Sequence, residues 1–150
     1  MLKYAGIIAA LAVAGCATAP PIGTPSGNPE LTLRNVRADC VKAGLVNGLI
    51  NSGLSIESSS EYLIVAGKPT SNTMASLLFG TRMNTTVEER YTATIVPQVN
   101  GNDLRLIMTA AYVSNPGTAF EKLQPMKACG GIQQQFMAAK PVIERGCAKT

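Results

Sequence analysis

The side chains best suited to covalent or metal chemistry in this chain are four cysteines, at positions 16, 40, 129 and 147, and histidine is absent. Without imidazole there is no ordinary general base at neutral pH, no Ser-His or Cys-His nucleophile pair, and no use of the commonest metal ligand. Cys40, Cys129 and Cys147 lack Cys-x-x-Cys spacing, and neither a Gly-rich phosphate loop nor a Ser-x-x-Lys motif occurs. Gly130-Gly131 alone is a weak phosphate signal. Glu88-Glu89 is the one adjacent acidic pair; at the start of a strand it reads as a solvated end rather than a catalytic or cation-binding pair. The expectation is a protein with no catalytic residue, no cofactor, no metal site and no small-molecule substrate.

Cys16 belongs to a different pattern. Met1-Leu2-Lys3 is a short positive segment, and Tyr4 to Ala14 is an uncharged run of mostly small and aliphatic residues, as in a secretory signal. A spanning helix needs about 20 apolar residues, and this run ends sooner, at Gly15-Cys16 and the proline-rich segment that follows. Val13-Ala14-Gly15-Cys16 resembles the lipobox of bacterial lipoproteins: a branched apolar residue, two small ones, then the cysteine. The resemblance covers residues 1–16. It implies cleavage before Cys16, thioether attachment of diacylglycerol to that thiol, and membrane anchoring through acyl chains such as palmitate. Bacterial lipoproteins typically receive three chains, enough for stable anchoring where one would be marginal. The competing reading is an ordinary secretory cut after Ala14 or after Ala19, and Pro20 argues against the second. Ala17 follows the cysteine where an aspartate would signal inner-membrane retention. In a diderm host the resemblance therefore implies the outer membrane, facing the periplasm; in a monoderm host, the outside of the cytoplasmic membrane.

The remaining chain divides into 16–29, a lipidated N-terminus and Pro/Gly-rich tether, and 30–150, the size of one domain. From Ala17 to Pro29 there is no charge and no apolar periodicity, and four prolines disfavour helix. Fully extended, these residues would reach roughly 40 Å from the lipid. The formal net charge of the whole chain is +4, with basic residues scattered and only 5% aromatic residues, which argues against nucleic acid and against a polybasic membrane segment.

The elements that would position any site read as follows. Asn35 can cap a helix running to about Ser52, with Val41, Leu45, Val46, Leu49 and Ile50 at helical spacing and Gly53 as the stop. Leu54–Glu57 and Glu61–Ala66 read as two short strands. Glu89–Val99 and Asp103–Val113 alternate, with Tyr91, Ala93 and Ile95 on one face and Leu104, Leu106 and Met108 together on the other strand. Asn100-Gly101-Asn102 between them supplies the positive φ a tight hairpin needs. A loop centred on Asn100-Gly101 or on Gly101-Asn102 brings the two apolar sets to one face, so parity leaves both registers open. Pro97 favours an edge or a bulge. Thr118-x-x-Glu121 can cap a short helix, and a last helix follows Gly130-Gly131 with Ile132, Phe136, Ala139 and Ile143 in phase and Pro141 as a kink point. The class is α+β: a four-stranded antiparallel sheet, a meander, with two main helices packed on one face. This order of elements is similar to small bacterial envelope lipoproteins of undefined biochemical role, a likeness that transfers no functional residue.

Two functions fit a membrane-anchored chain without catalysis. One is a binding or assembly module of a larger envelope complex; the other is a stand-alone envelope or surface lipoprotein with a barrier, stress or exclusion role. For the module, the long connection between the paired strands is the candidate partner contact, because Met74, Leu77, Leu78 and Phe79 lie in an uncharged stretch from Pro69 to Thr81. The bland alternative is a short helix packed over one end of the sheet.

With Cys16 occupied by lipid, export leaves three thiols in an oxidising compartment. In a meander the first and last helices are antiparallel, which brings Cys40 at the start of one near Cys147 at the end of the other. Cys129 then lies at the far end as a buried thiol. A crossover at 68–86 would instead make the helices parallel and pair Cys40 with Cys129. The expected disulfide is Cys40–Cys147.

Overall fold

The computed structural model describes residues 22–82, 85–128 and 130–149. Its elements in chain order are β1 (Glu30–Leu33), α1 (Ala38–Asn51), β2 (Ser55–Ser59), β3 (Leu63–Pro69), α2 (Thr73–Phe79), β4 (Val87–Pro97), β5 (Leu104–Ser114), β6 (Lys122–Pro125) and α3 (Gly130–Gly146). The class is α+β. The strands expected from alternation form the meander β2-β3-β4-β5, every neighbouring pair antiparallel.

Two strands and one helix are added to the expected four strands and two helices. β1 and β6 both pair with β5, end to end along one edge: β1 against Leu104–Ile107, β6 against Ala111–Ser114. In β1 only Leu31 and Leu33 are apolar, too short a run to register as alternation, yet both are buried once paired. β6 is exposed along its whole length and exists because β5 offers unpaired backbone groups there.

β4 and β5 pair from Val87↔Ser114 to Pro97↔Leu104, which selects the register centred on Asn100-Gly101. The connection is wider than a two-residue turn. The Gln98 N–H donates to the Asp103 carbonyl at 2.9 Å, Gly101 turns at φ 70°, and the Asn100 side-chain oxygen accepts the Asn102 and Asp103 N–H groups, both at 3.1 Å. Pro97 is the last residue of β4, and β3 pairs with β4 only as far as Thr94, so its missing donor lies where β4 is locally an edge and no bulge is needed. The bulge falls in β2, at the shift between Ile56 and Ser58.

Tyr91, Ala93, Ile95, Leu104, Leu106 and Met108 are buried on one face of the sheet, against Val41, Leu45 and Leu49 of α1. Phe136 and Ile143 of α3 pack at the margin of this core, and α3 itself has no buried residue. It continues through Pro141. The two helices share one face, as expected.

Asn35 is not the cap of α1. It adopts φ 48°, its N–H donates to the Asp103 carboxylate, and its carbonyl accepts the Lys149 N–H; the cap position falls two residues later, at Arg37, which makes no side-chain cap, and the helix begins at Ala38. The C-terminal signal holds: Gly53 takes φ 79°, and the Leu54 N–H returns to the Leu49 carbonyl at 3.1 Å. The short helix expected at Thr118 is a turn instead. Glu121 is drawn to Arg90 and to the Gly117 N–H, and the Thr118 hydroxyl donates back to the Asn115 carbonyl, so the reciprocal cap never forms.

Candidate functional site

The cysteines come first. Cys16 and Cys129 lie outside the described residues. The Cys40 and Cys147 sulfurs are 2.01 Å apart, at disulfide distance, with Cα atoms separated by 5.5 Å. The meander leaves α1 and α3 antiparallel, and the surrounding backbone closes the same junction: Arg37 N–H donates to the Cys147 carbonyl at 2.8 Å, and Val36 bridges Ala148.

Glu88 and Glu89 are not a solvated strand end. As neighbours on a strand they point to opposite faces, and each is engaged. On the helix face Glu89 accepts hydrogen bonds from the Thr70 hydroxyl at 2.6 Å and the Tyr91 hydroxyl at 3.2 Å. On the other face Glu88 joins a cluster that sequence gave no means to find. There Arg90 stands 2.6 Å from Glu121, 2.9 Å from Glu57 and 3.7 Å from Glu88, all four side chains half-buried. The Glu57 contact is made by Nε at ion-pair distance without hydrogen-bond alignment. Glu57 reaches in from the β2 bulge, and a Cβ on Gly67 between them would run into the Glu57 and Glu88 carboxylates.

The electrostatics follow from three carboxylates around one guanidinium. Hydrogen bonding to Arg90, then to the Gly117 N–H, holds the Glu121 carboxyl below its ordinary range. Glu88 is pushed up to about 6, chiefly by burial, then by the hydrogen bond and charge of Glu57. A carboxyl raised in the folded state favours folding while protonated. That contribution is complete below the ordinary glutamate value and is lost as pH rises through about 6. Glu88→Gln should therefore stabilise the domain by about 1 kcal/mol at neutral pH, after discounting for partial exposure. Near pH 4 it should be neutral. Urea melts of both proteins at the two pH values test this, and a pH-independent difference would remove the assigned cause.

This cluster clamps β2, β4 and the 115–121 turn together. Among the described residues no group of His, Cys, Asp and Glu is placed to hold a metal ion. A cavity of about 40 Å³ lies on the opposite face, between Pro29, Tyr91, Met108, Ala110 and Ile132, with room for little more than one water.

The candidate contact segment is the helix α2. Asn72 caps it by accepting the Ala75 N–H at 3.2 Å, Ala75 is buried, and Phe79 stacks on Tyr112 with ring centroids 5.5 Å apart. The Ser114 hydroxyl donates to the Phe79 carbonyl at 2.6 Å. Met74, Leu77 and Leu78 instead face solvent, at 61%, 74% and 66% exposure. Phe79 is thus a packing residue, and the outward apolar surface belongs to the other three. Among the described residues no helix is long and apolar enough to cross a membrane. No protein-family model matches the chain, and no curated protein matches it.

Proposed function

We propose that the chain is a lipid-anchored envelope lipoprotein, held through Cys16 in the outer membrane and facing the periplasm, that works without catalysis as a binding or assembly module of a larger envelope complex. The observation that carries the reading is α2. Isolated apolar side chains on a surface are ordinary, but three large ones on a seven-residue helix, capped and pinned at both ends, are a presented surface. The stretch from Pro69 to Thr81 carries no charge, with Lys68 just before it and Arg82 just after. A protein partner with an apolar groove is the fitting occupant.

Extraction in mild detergent, crosslinking and mass spectrometry should recover a recurrent complex at comparable abundance. Leu77→Ser with Leu78→Ser should lower that recovery several-fold while leaving the melting temperature unchanged, because neither side chain is buried. Phe79→Ser should instead destabilise the fold through the lost stack on Tyr112. Unchanged recovery in the double variant would remove α2 as the contact, and the absence of any recurrent complex would favour a stand-alone lipoprotein.

A further inference from the structure

Much of the segment expected to hold the domain away from the membrane is folded onto the domain. The Gly27 N–H donates to the Thr24 carbonyl at 3.0 Å, the Thr24 hydroxyl to the Asn28 carbonyl at 2.6 Å, and the Met108 N–H to the Pro29 carbonyl at 2.9 Å. The Ser26 N–H reaches the Glu30 carboxylate at 3.2 Å. Between Cys16 and the first described residue, Ile22, only residues 17–21 intervene. Fully extended they span about 20 Å, roughly half the length of β5 at about 3.3 Å per residue. A chain anchored at Cys16 therefore holds Ile22 within about 20 Å of the lipid.

The side that must lie nearest is set by where this segment joins the fold. Asn28 and Pro29 line the same cavity as Met126 and Lys127, and from there β6 runs along the β5 edge to the 115–121 turn. Along this strip Phe120 is 79% exposed and Leu123 54%, and Lys122 and Lys127 are exposed. Among the described residues neither lysine has an ion pair, and the one carboxylate of the strip, Glu121, is turned into the Arg90 cluster. Lys122 and Leu123 alternate across β6, so with this outer edge of the sheet turned to the lipid the strip shows apolar tips and positive charge from its two sides, the combination that suits the interface of an anionic bilayer.

We propose that the strip of Phe120, Lys122, Leu123 and Lys127 rests on the membrane, its lysines on anionic headgroups and its apolar side chains in the interface. The proposal depends on the lipid anchor at Cys16. It also orients the partner contact, since Asn115 ties the strip to the end of α2 through the Phe120 carbonyl at 3.4 Å and the Thr81 hydroxyl at 3.0 Å.

The chain has no tryptophan, so single reporters are clean. Phe120→Trp and Val99→Trp, each in the full acylated protein, are reconstituted in vesicles of phosphatidylcholine and phosphatidylglycerol brominated near the top of the acyl chains. Val99 is fully exposed in the β4–β5 connection, about 30 Å from Leu123 along β5. Phe120→Trp should be quenched and blue-shifted and Val99→Trp should match its unbrominated control. Adding Lys122→Gln and Lys127→Gln should reduce the quenching of Phe120→Trp. A protein that carries acyl mass and floats with the vesicles, yet shows equal quenching or none at both positions, overturns the seating alone. One that carries no acyl mass and does not float overturns the anchor and the seating with it. Shielding of Phe120→Trp in native membranes but not in vesicles would assign the strip to a protein and also overturn the proposal.

Discussion

Cys40→Ser with Cys147→Ser should destabilise the exported domain by about 4 to 5 kcal/mol, the chain-entropy value for a closed loop of this length. The two cysteines are separated by 107 residues, so the unfolded chain loses much freedom when they are joined. The loss should not be uniform. α3 has no buried residue and is held otherwise by marginal packing and by side-chain contacts such as Gln133 to the backbone of Glu30, whereas β4 and β5 form the centre of the sheet. Hydrogen exchange should accordingly rise most in 130–149 and least in β4 and β5. Urea denaturation gives the magnitude. Non-reducing peptide mapping gives the pairing, and a linked Cys40–Cys129 peptide would contradict both this effect and the arrangement of helices behind it.

Cys16→Ala should leave an unacylated precursor that still carries residues 1–15, in place of the shorter acylated protein. In the proposed anchor the Cys16 thiol is the acceptor of diacylglycerol, and no other cysteine lies near the expected cut. Globomycin, which blocks the lipoprotein signal peptidase, should make the unaltered precursor accumulate. Both results follow from one chemistry, acylation at position 16, and intact-mass measurement reads it directly. An unmodified Cys16 inside the mature protein would end the anchor reading.

The elements that could be read before any coordinates were those whose signal repeats. Tyr91, Ala93 and Ile95 against Leu104, Leu106 and Met108 announced β4 and β5, because a period of two can bury only one face. Val41, Leu45 and Leu49 announced α1 for the corresponding helical reason, and Gly53 ended it where a left-handed residue was needed. Those elements, taken as a meander, sufficed to bring Cys40 toward Cys147.

The Arg90 cluster was beyond such reading. Glu57, Glu88, Arg90 and Glu121 are drawn from a bulge, a strand and a turn, and no local rule relates residues that only strand pairing makes neighbours. The same holds for β1 and β6, whose few residues carry little pattern and take their conformation from the open edge of β5. Thr118-x-x-Glu121 shows the competition plainly: a local cap was available, and an ion pair with a distant arginine displaced it. Sequence alone determined the elements whose own residues bury a face; the tertiary structure decided what fills the remaining edges and where the charges meet, because those free energies arise only between segments already brought together.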